Sequence, residues 1–86
     1  MTTTTPDKRR KSLLATLFFA DTTASAVHHL ARDMALVHNV DVSHDVVRGD
    51  LTWLREQGLV QYAQDAALIT ERGRDVAKGA APWPGE

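Results

Sequence analysis

A mostly helical domain with a small β-hairpin is what the sequence predicts, on three observations. Apolar residues recur at helical spacing in three stretches. Ser43 and Thr70 stand as N-caps, with Gly58 and Gly79 as stops. Two short β-prone runs flank Gln64-Asp65. With 86 residues and no cysteine the chain holds one core, and it has no disulfide to compensate for the small share of surface so short a chain buries. Association with a second copy would offset that weakness.

Met1 to Thr5 is a polar run with no reason to order, and Pro6-Asp7 suits a helix start, so residues 1–7 are expected as a disordered tail ahead of a domain over 8–79. From Lys8 to about Ala20, Leu13, Leu14, Leu17 and Phe18 form one apolar stripe, with Phe19 off it. Asp21-Thr22-Thr23 interrupts the pattern and offers a cap. A second helix follows with Val27, Leu30, Ala31, Met34 and Val37 inward, and Asn39 is placed as its left-handed terminator. Val40-Asp41-Val42 is β-branched and alternating, enough for one small strand. Ser43 caps a third helix, with Val42 and Val47 as a hydrophobic staple, Val47, Leu51 and Leu54 inward, and Gly58 as the stop. Leu59 to Ala63 and Ala66 to Ile69 read as a hairpin. Thr70 then caps a short helix, Glu71 to Lys78, with Val76 and Ala77 facing the core, and residues 80–86 form a C-terminal tail. Helix, helix, small strand, helix, hairpin, helix is the order of a winged helix-turn-helix.

The charge is unevenly placed. Residues 1–11 are net +3, from Lys8, Arg9, Arg10 and Lys11 against Asp7, which leaves residues 12–86 at net −4. A nucleic-acid binder is expected to carry a positive stripe across its body, because phosphate neutralisation supplies most sequence-independent affinity. From Asp41 to Asp65 there are instead five acids against two bases.

The stretch VSHDVVRGDLTWLREQGLV, Val42 to Val60, together with LITERGRDVAKG, Leu68 to Gly79, resembles small winged-helix proteins of Mu-like phages and prophages. In those proteins the matching pattern runs VSxDxVRxDLxWLxEQGLV and later LTERGxDVAxG, and the label is often ArsR-like or phage regulator. The resemblance covers about residues 8–79. It implies a DNA-binding transcriptional regulator, and small winged-helix proteins of this kind are commonly homodimeric; ArsR-type relatives include metal sensors, while the absence of cysteine points to a cytoplasmic setting and no motif calls for a cofactor. The sequence departs from the general winged-helix pattern at the hairpin tip, which has no Lys or Arg.

On the third helix the 100° step puts Asp45, Arg48, Gly49, Thr52 and Glu56 outward, with Ser43 and His44 at the tip. Such a helix places its N-terminal residues against base edges in the major groove. Arg48 suits bidentate pairing with guanine, and Ser43, His44 and Thr52 suit phosphates or bases. Lys8, Arg9, Arg10, Lys11 and Arg55 are the expected phosphate anchors. The same features also describe a solvated face, or an acidic protein-interaction module docking a phage or host protein. Phe19 and Trp83 are the dimer-interface candidates, while Trp53 is expected as a buried core residue with its N–H on a carbonyl. His38, Asp41 and His44 flank one loop, but with no Cys and no HxxxH pair, a solvated or core-edge role is expected for all four histidines. No phosphate-binding loop, nucleophile arrangement or carboxylate pair marks an enzyme. No apolar run is long enough to span a bilayer, and the segment after the basic cluster is too short and too well patterned for a signal peptide.

Overall fold

A computed structural model describes residues 5–20 and 22–85. The order is α1 (Pro6–Ala20), β1 (Ser25–Ala26), α2 (Val27–Val37), α3 (His44–Glu56), β2 (Val60–Ala63), β3 (Ala66–Ile69) and α4 (Glu71–Ala77). The three strands form one antiparallel sheet in the order β1-β3-β2. This is a winged helix-turn-helix: α2 and α3 make the helix-turn-helix and the β2–β3 hairpin is the wing.

α1 lies centrally and packs against α2, α3, α4 and β3. Leu13, Leu14 and Leu17 from it meet Leu30, Met34, Leu51, Leu54 and Leu59, all almost wholly buried. The helix starts at Pro6, as the Pro6-Asp7 pair suggested, so these two residues belong to α1. The Thr5 hydroxyl accepts from Lys8 N–H at 3.2 Å and its carbonyl from Arg9 N–H at 2.9 Å, so Thr5 caps a helix with Pro6 in the first position, where no N–H is needed.

The third strand is not where β-propensity placed it. No strand forms at Val40-Asp41-Val42. That segment is the α2–α3 turn, and its valines are apolar because Val40 is buried and Val42 packs on the core edge. The partner of β3 is Ser25–Ala26, whose residue types carry no strand signal and which pairs only because the chain passes the open edge of the hairpin, Ser25 opposite Ala67 and Ala26 opposite Ala66. The start of α2 shifts for the same reason. Asp21 lies outside the described residues and Thr22-Thr23 form a turn. The helix begins at Val27 behind Ala26, which makes no side-chain cap bond. The Val27 N–H donates to the Asp65 carbonyl at 2.9 Å, so the wing turn satisfies a group that a cap would otherwise serve.

Other local expectations hold. Asn39 takes φ 55°, and Val40 N–H reaches the Met34 carbonyl at 2.9 Å, closing α2 with a left-handed terminator. The Ser43 hydroxyl accepts from Val46 N–H at 3.2 Å. Gln64 and Asp65 both have positive φ, 53° and 57°, the conformation a two-residue hairpin turn requires. Val37 and Ala77 are exceptions, exposed because each sits at the end of its helix, beyond the core.

The join of α3, wing and α4 is the tightest part of the fold. Thr70 N–H donates to the Leu59 carbonyl at 3.0 Å, its hydroxyl donates to the Gly58 carbonyl at 2.8 Å, and the same oxygen caps α4 by accepting from Gly73 N–H at 3.0 Å. Gly73 is buried against this knot. A Cβ there would overlap the Leu59 carbonyl and come within 2.8 Å of Ile69 Cγ1, and backbone cannot move aside as a flexible side chain can. Gly73→Ala is therefore expected to destabilise the domain by about 2–3 kcal/mol, read as a lower urea midpoint at unchanged slope.

Candidate nucleic-acid interface

α3 carries two polar surfaces on opposite sides. The outward one holds Ser43, His44, Asp45, Arg48, Gly49, Thr52 and, at its edge, Arg55. The other, about 160° around the helix from Arg48, holds Asp50 and Trp53.

On the outward side Arg48 is the centre. Its Nη1 donates to Asp45 Oδ1 at 2.9 Å, and its Nη2 donates to Asp65 Oδ2 at 2.9 Å. Its Nε reaches the same Asp65 carboxylate, with Oδ1 at 3.1 Å. The wing turn is thereby tied to the helix. Tyr62 joins from β2, its hydroxyl 3.3 Å from Asp65 Oδ1, and Arg55 Nη1 donates to the Tyr62 carbonyl at 3.2 Å with its guanidinium over the Tyr62 ring. The hydrogen bond from Arg48 holds the Asp65 carboxyl below its ordinary value. The Arg48 guanidinium is raised, chiefly by Asp65 and then by Asp45. Tyr62 is pushed up by desolvation and by the nearby Asp65 charge. Ser43 and His44 are exposed at the helix tip. The Thr52 hydroxyl donates back to the Arg48 carbonyl at 2.9 Å. Gly49 has no atom within 4 Å of where a Cβ would stand, which leaves the middle of this face low.

The N-terminal basic cluster does not join that face. Asp50 is only 2% exposed and takes both arginines: Arg9 chelates it, with Nη2 to Oδ1 at 2.9 Å and Nε to Oδ2, and Arg10 Nε donates to Oδ1 at 3.1 Å. The pairing raises the Arg9 guanidinium. Arg10 also lies over the Trp53 ring, 4.5 Å from its centroid. Trp53 stacks on Trp83 at 5.6 Å, and Lys11 lies over Trp83. Arg9 and Arg10, expected as phosphate anchors, are thus both engaged by one buried carboxylate at the α1–α3 contact. Lys8 stays exposed on the first turn of α1. Trp83, expected as a dimer-interface candidate, is 7% exposed and packs on α3 and α1 of its own chain. Trp53 is half-buried under it. Phe19 is fully presented, at 83% exposure.

Three residues of this arrangement were not singled out in the sequence: Asp50, Asp65 and Tyr62. Asp50 had a signal, since it follows Val47 by three positions and directly precedes Leu51, at the margin of the apolar stripe. Asp65 and Tyr62 had none, because their pairing with Arg48 depends on the wing folding back on α3. Among the described residues no group of three or more His, Cys, Asp or Glu is placed to hold a metal ion, and no helix is long and apolar enough to cross a membrane.

Fold and site together define a small winged-helix protein whose outward helix carries one carboxylate-bridged arginine. No protein-family model matches the chain, and no solved structure matches it. It is 35% identical over 79 residues to the uncharacterized protein gp26 of Escherichia phage Mu, across 87% of this chain and 80% of that protein, and belongs to the family of that phage protein.

Removing Asp50 would leave two guanidiniums facing one another at the α1–α3 contact, so Asp50→Ala is expected to destabilise by about 3 kcal/mol, read by urea denaturation. At the wing, the Arg48–Asp65 bridge contributes above the ordinary carboxylate range and is lost as pH falls through the lowered Asp65 value. Arg48→Gln is expected to return Asp65 to its ordinary value in an NMR titration of the side-chain carboxyl.

Proposed function

We propose that this protein is a small phage-type DNA-binding regulator, of the kind called ArsR-like, that acts by occupying DNA in the host cytoplasm, without catalysis or a cofactor. α3 enters the major groove and the wing lies beside it. The observation that carries this reading is the outward face of α3. Ser43 and His44 sit at its tip, Gly49 leaves room for close approach, and the Arg48 guanidinium is hydrogen-bonded to the carboxylates of both Asp45 and Asp65. A guanidinium held by carboxylates already has the bidentate geometry that guanine O6 and N7 present, so docking exchanges one pair of acceptors for another. Thr52 and Arg55 stand further along for phosphate.

The exchange also sets the expected strength. Arg9 and Arg10 hold Asp50, and Asp45 and Asp65 face the groove, so the sequence-independent contribution of phosphate contacts is small and affinity rests on base contacts. A second reading is favoured by one of these observations: Asp65 at the wing tip makes the face acidic, as it would be on a protein-interaction module that docks a basic surface of a phage or host protein.

Fluorescence anisotropy of a labelled duplex, titrated with protein at several salt concentrations, tests the proposal. Arg48→Ala is expected to weaken binding about 10- to 100-fold. Asp65→Asn, which removes a competing carboxylate and a negative charge, is expected to strengthen it. Absence of duplex binding at low salt by both the unaltered protein and Asp65→Asn would leave the protein-docking reading in its place.

A further inference from the structure

A recess of about 370 Å³ opens where α1, α4 and the C-terminal segment meet. Leu14 and Ala15 line it from α1, Val76 and Ala77 from α4, and residues 81–83 complete the wall. Small side chains make the hollow. Ala15, Ala77 and Ala81 all face it, and Gly79, also on its wall, has no atom within 4 Å of where a Cβ would stand. Two donors belong to its lining. The Lys11 ammonium lies over the Trp83 ring, 5.4 Å from the centroid. The indole N–H of Trp83 is buried and has no acceptor among the described residues, which is uncommon for a buried donor. Among the described residues no carboxylate lines the recess.

We propose that this recess binds a small apolar carboxylate, its hydrocarbon part against Leu14, Val76 and the alanines and its charged end toward the Lys11 ammonium. Small-molecule sites are hollows of this size, mostly apolar, with a few polar groups that fix orientation. Charge favours an anion. Residues 1–20 and 70–86, the segments that build this side, hold seven bases against four acids, net +3, while residues 21–69 hold three against seven, net −4. With Asp50 counted beside the arginines that hold it, this side is still net +2, and such a field raises the local concentration of anions. One ammonium suits a singly charged group better than a phosphate dianion. Shape favours a small molecule over a protein segment. The large exposed apolar side chains, Phe19, Leu36, Val37 and Val46, are not among its lining residues, so the recess lacks a broad apolar rim for a partner to cover. No residue of the wing or of the outward face of α3 lines it either, and the proposal stands independently of DNA binding.

Titration of 4-phenylbutyrate into the isotope-labelled full chain, followed in the amide NMR spectrum, tests it. Saturable shifts are expected at Lys11, Ala15, Val76, Ala77 and the Trp83 indole N–H, with a dissociation constant on the order of 0.1–1 mM. The neutral 4-phenylbutanol is expected to bind roughly 5-fold more weakly, and Lys11→Gln to bring the acid down to the level of the alcohol. Ala77→Phe is expected to fill the recess and abolish the shifts while keeping the circular dichroism melt, because Ala77 is exposed at the end of α4. Ala81→Phe, outside the helices, is expected to do the same. The proposal is overturned by the absence of saturable shifts up to about 10 mM ligand, by equal binding of acid and alcohol to the unaltered chain, by shifts centred on another surface, or by undiminished binding to either filled variant in its folded form.

Discussion

The arrangement of the helices depends on one buried charge. Asp50 lies on α3 against the first turns of α1, and a carboxylate in that position must be matched by cations. Arg9 and Arg10 supply them from some forty residues away in sequence. This fixes the rotation of α1 about its axis at its N-terminal end, where no apolar stripe does so, since the buried leucines begin only at Leu13. It also brings Arg10 over Trp53, and the Trp53–Trp83 stack carries the constraint on to the C-terminal segment. An apolar substitute for the three charges can match their stability, because desolvation offsets much of a buried ion pair's attraction. It would not specify the same register between two helices, which the forked geometry of two guanidiniums on one carboxylate does.

That constraint changes the meaning of the basic cluster. As a string, Lys8-Arg9-Arg10-Lys11 is what a phosphate-binding arm looks like, and its mildly unfavourable place at a helix N-terminus gives no hint otherwise. In the folded chain its two arginines are structural cations. The same happens on the other side of α3, where Arg48 bridges Asp45 and Asp65 and Arg55 reaches the wing backbone. In so small a domain the guanidiniums of Arg9, Arg10, Arg48 and Arg55 each hold two elements together. Any function of this face therefore involves exchange of partners.

Much of the fold was legible because it is written locally. Ser43, Thr70, Asn39 and Gly58 act through their own hydrogen bonds or dihedral angles within a turn of where they stand, and leucine spacing marks a helix face wherever the helix goes. What could not be read was what depends on chain segments meeting. Ser25–Ala26 is a strand by position alone, while Val40-Asp41-Val42 has the residue types of one and lies in a turn. Val37 continues an apolar pattern past the point where the core ends. At the candidate site, the exposure of Ser43 and His44 and the outward direction of Arg48 followed from helix geometry, whereas the partners of Arg48, Arg9 and Trp83 are all non-local. The periodicity that found the helix faces does not say which acid reaches which base.

The site in turn depends on residues that take no part in it. Asp65 can meet Arg48 only if the wing folds back at a fixed angle, and that angle is set where β2 leaves α3. There Gly58 turns with φ 78°, Thr70 binds the carbonyls of both Gly58 and Leu59, and Gly73 leaves the space that the Leu59 carbonyl occupies. β1 adds a second hold, since the Val27 N–H takes the carbonyl of Asp65 itself. The backbone of Asp65 thus starts α2 while its side chain holds α3, and one residue at the wing tip fixes both helices of the helix-turn-helix. A change that moves the wing must alter the spacing of α2 and α3 as well. The outward face of α3 is for that reason presented by the whole domain, and not by the helix alone.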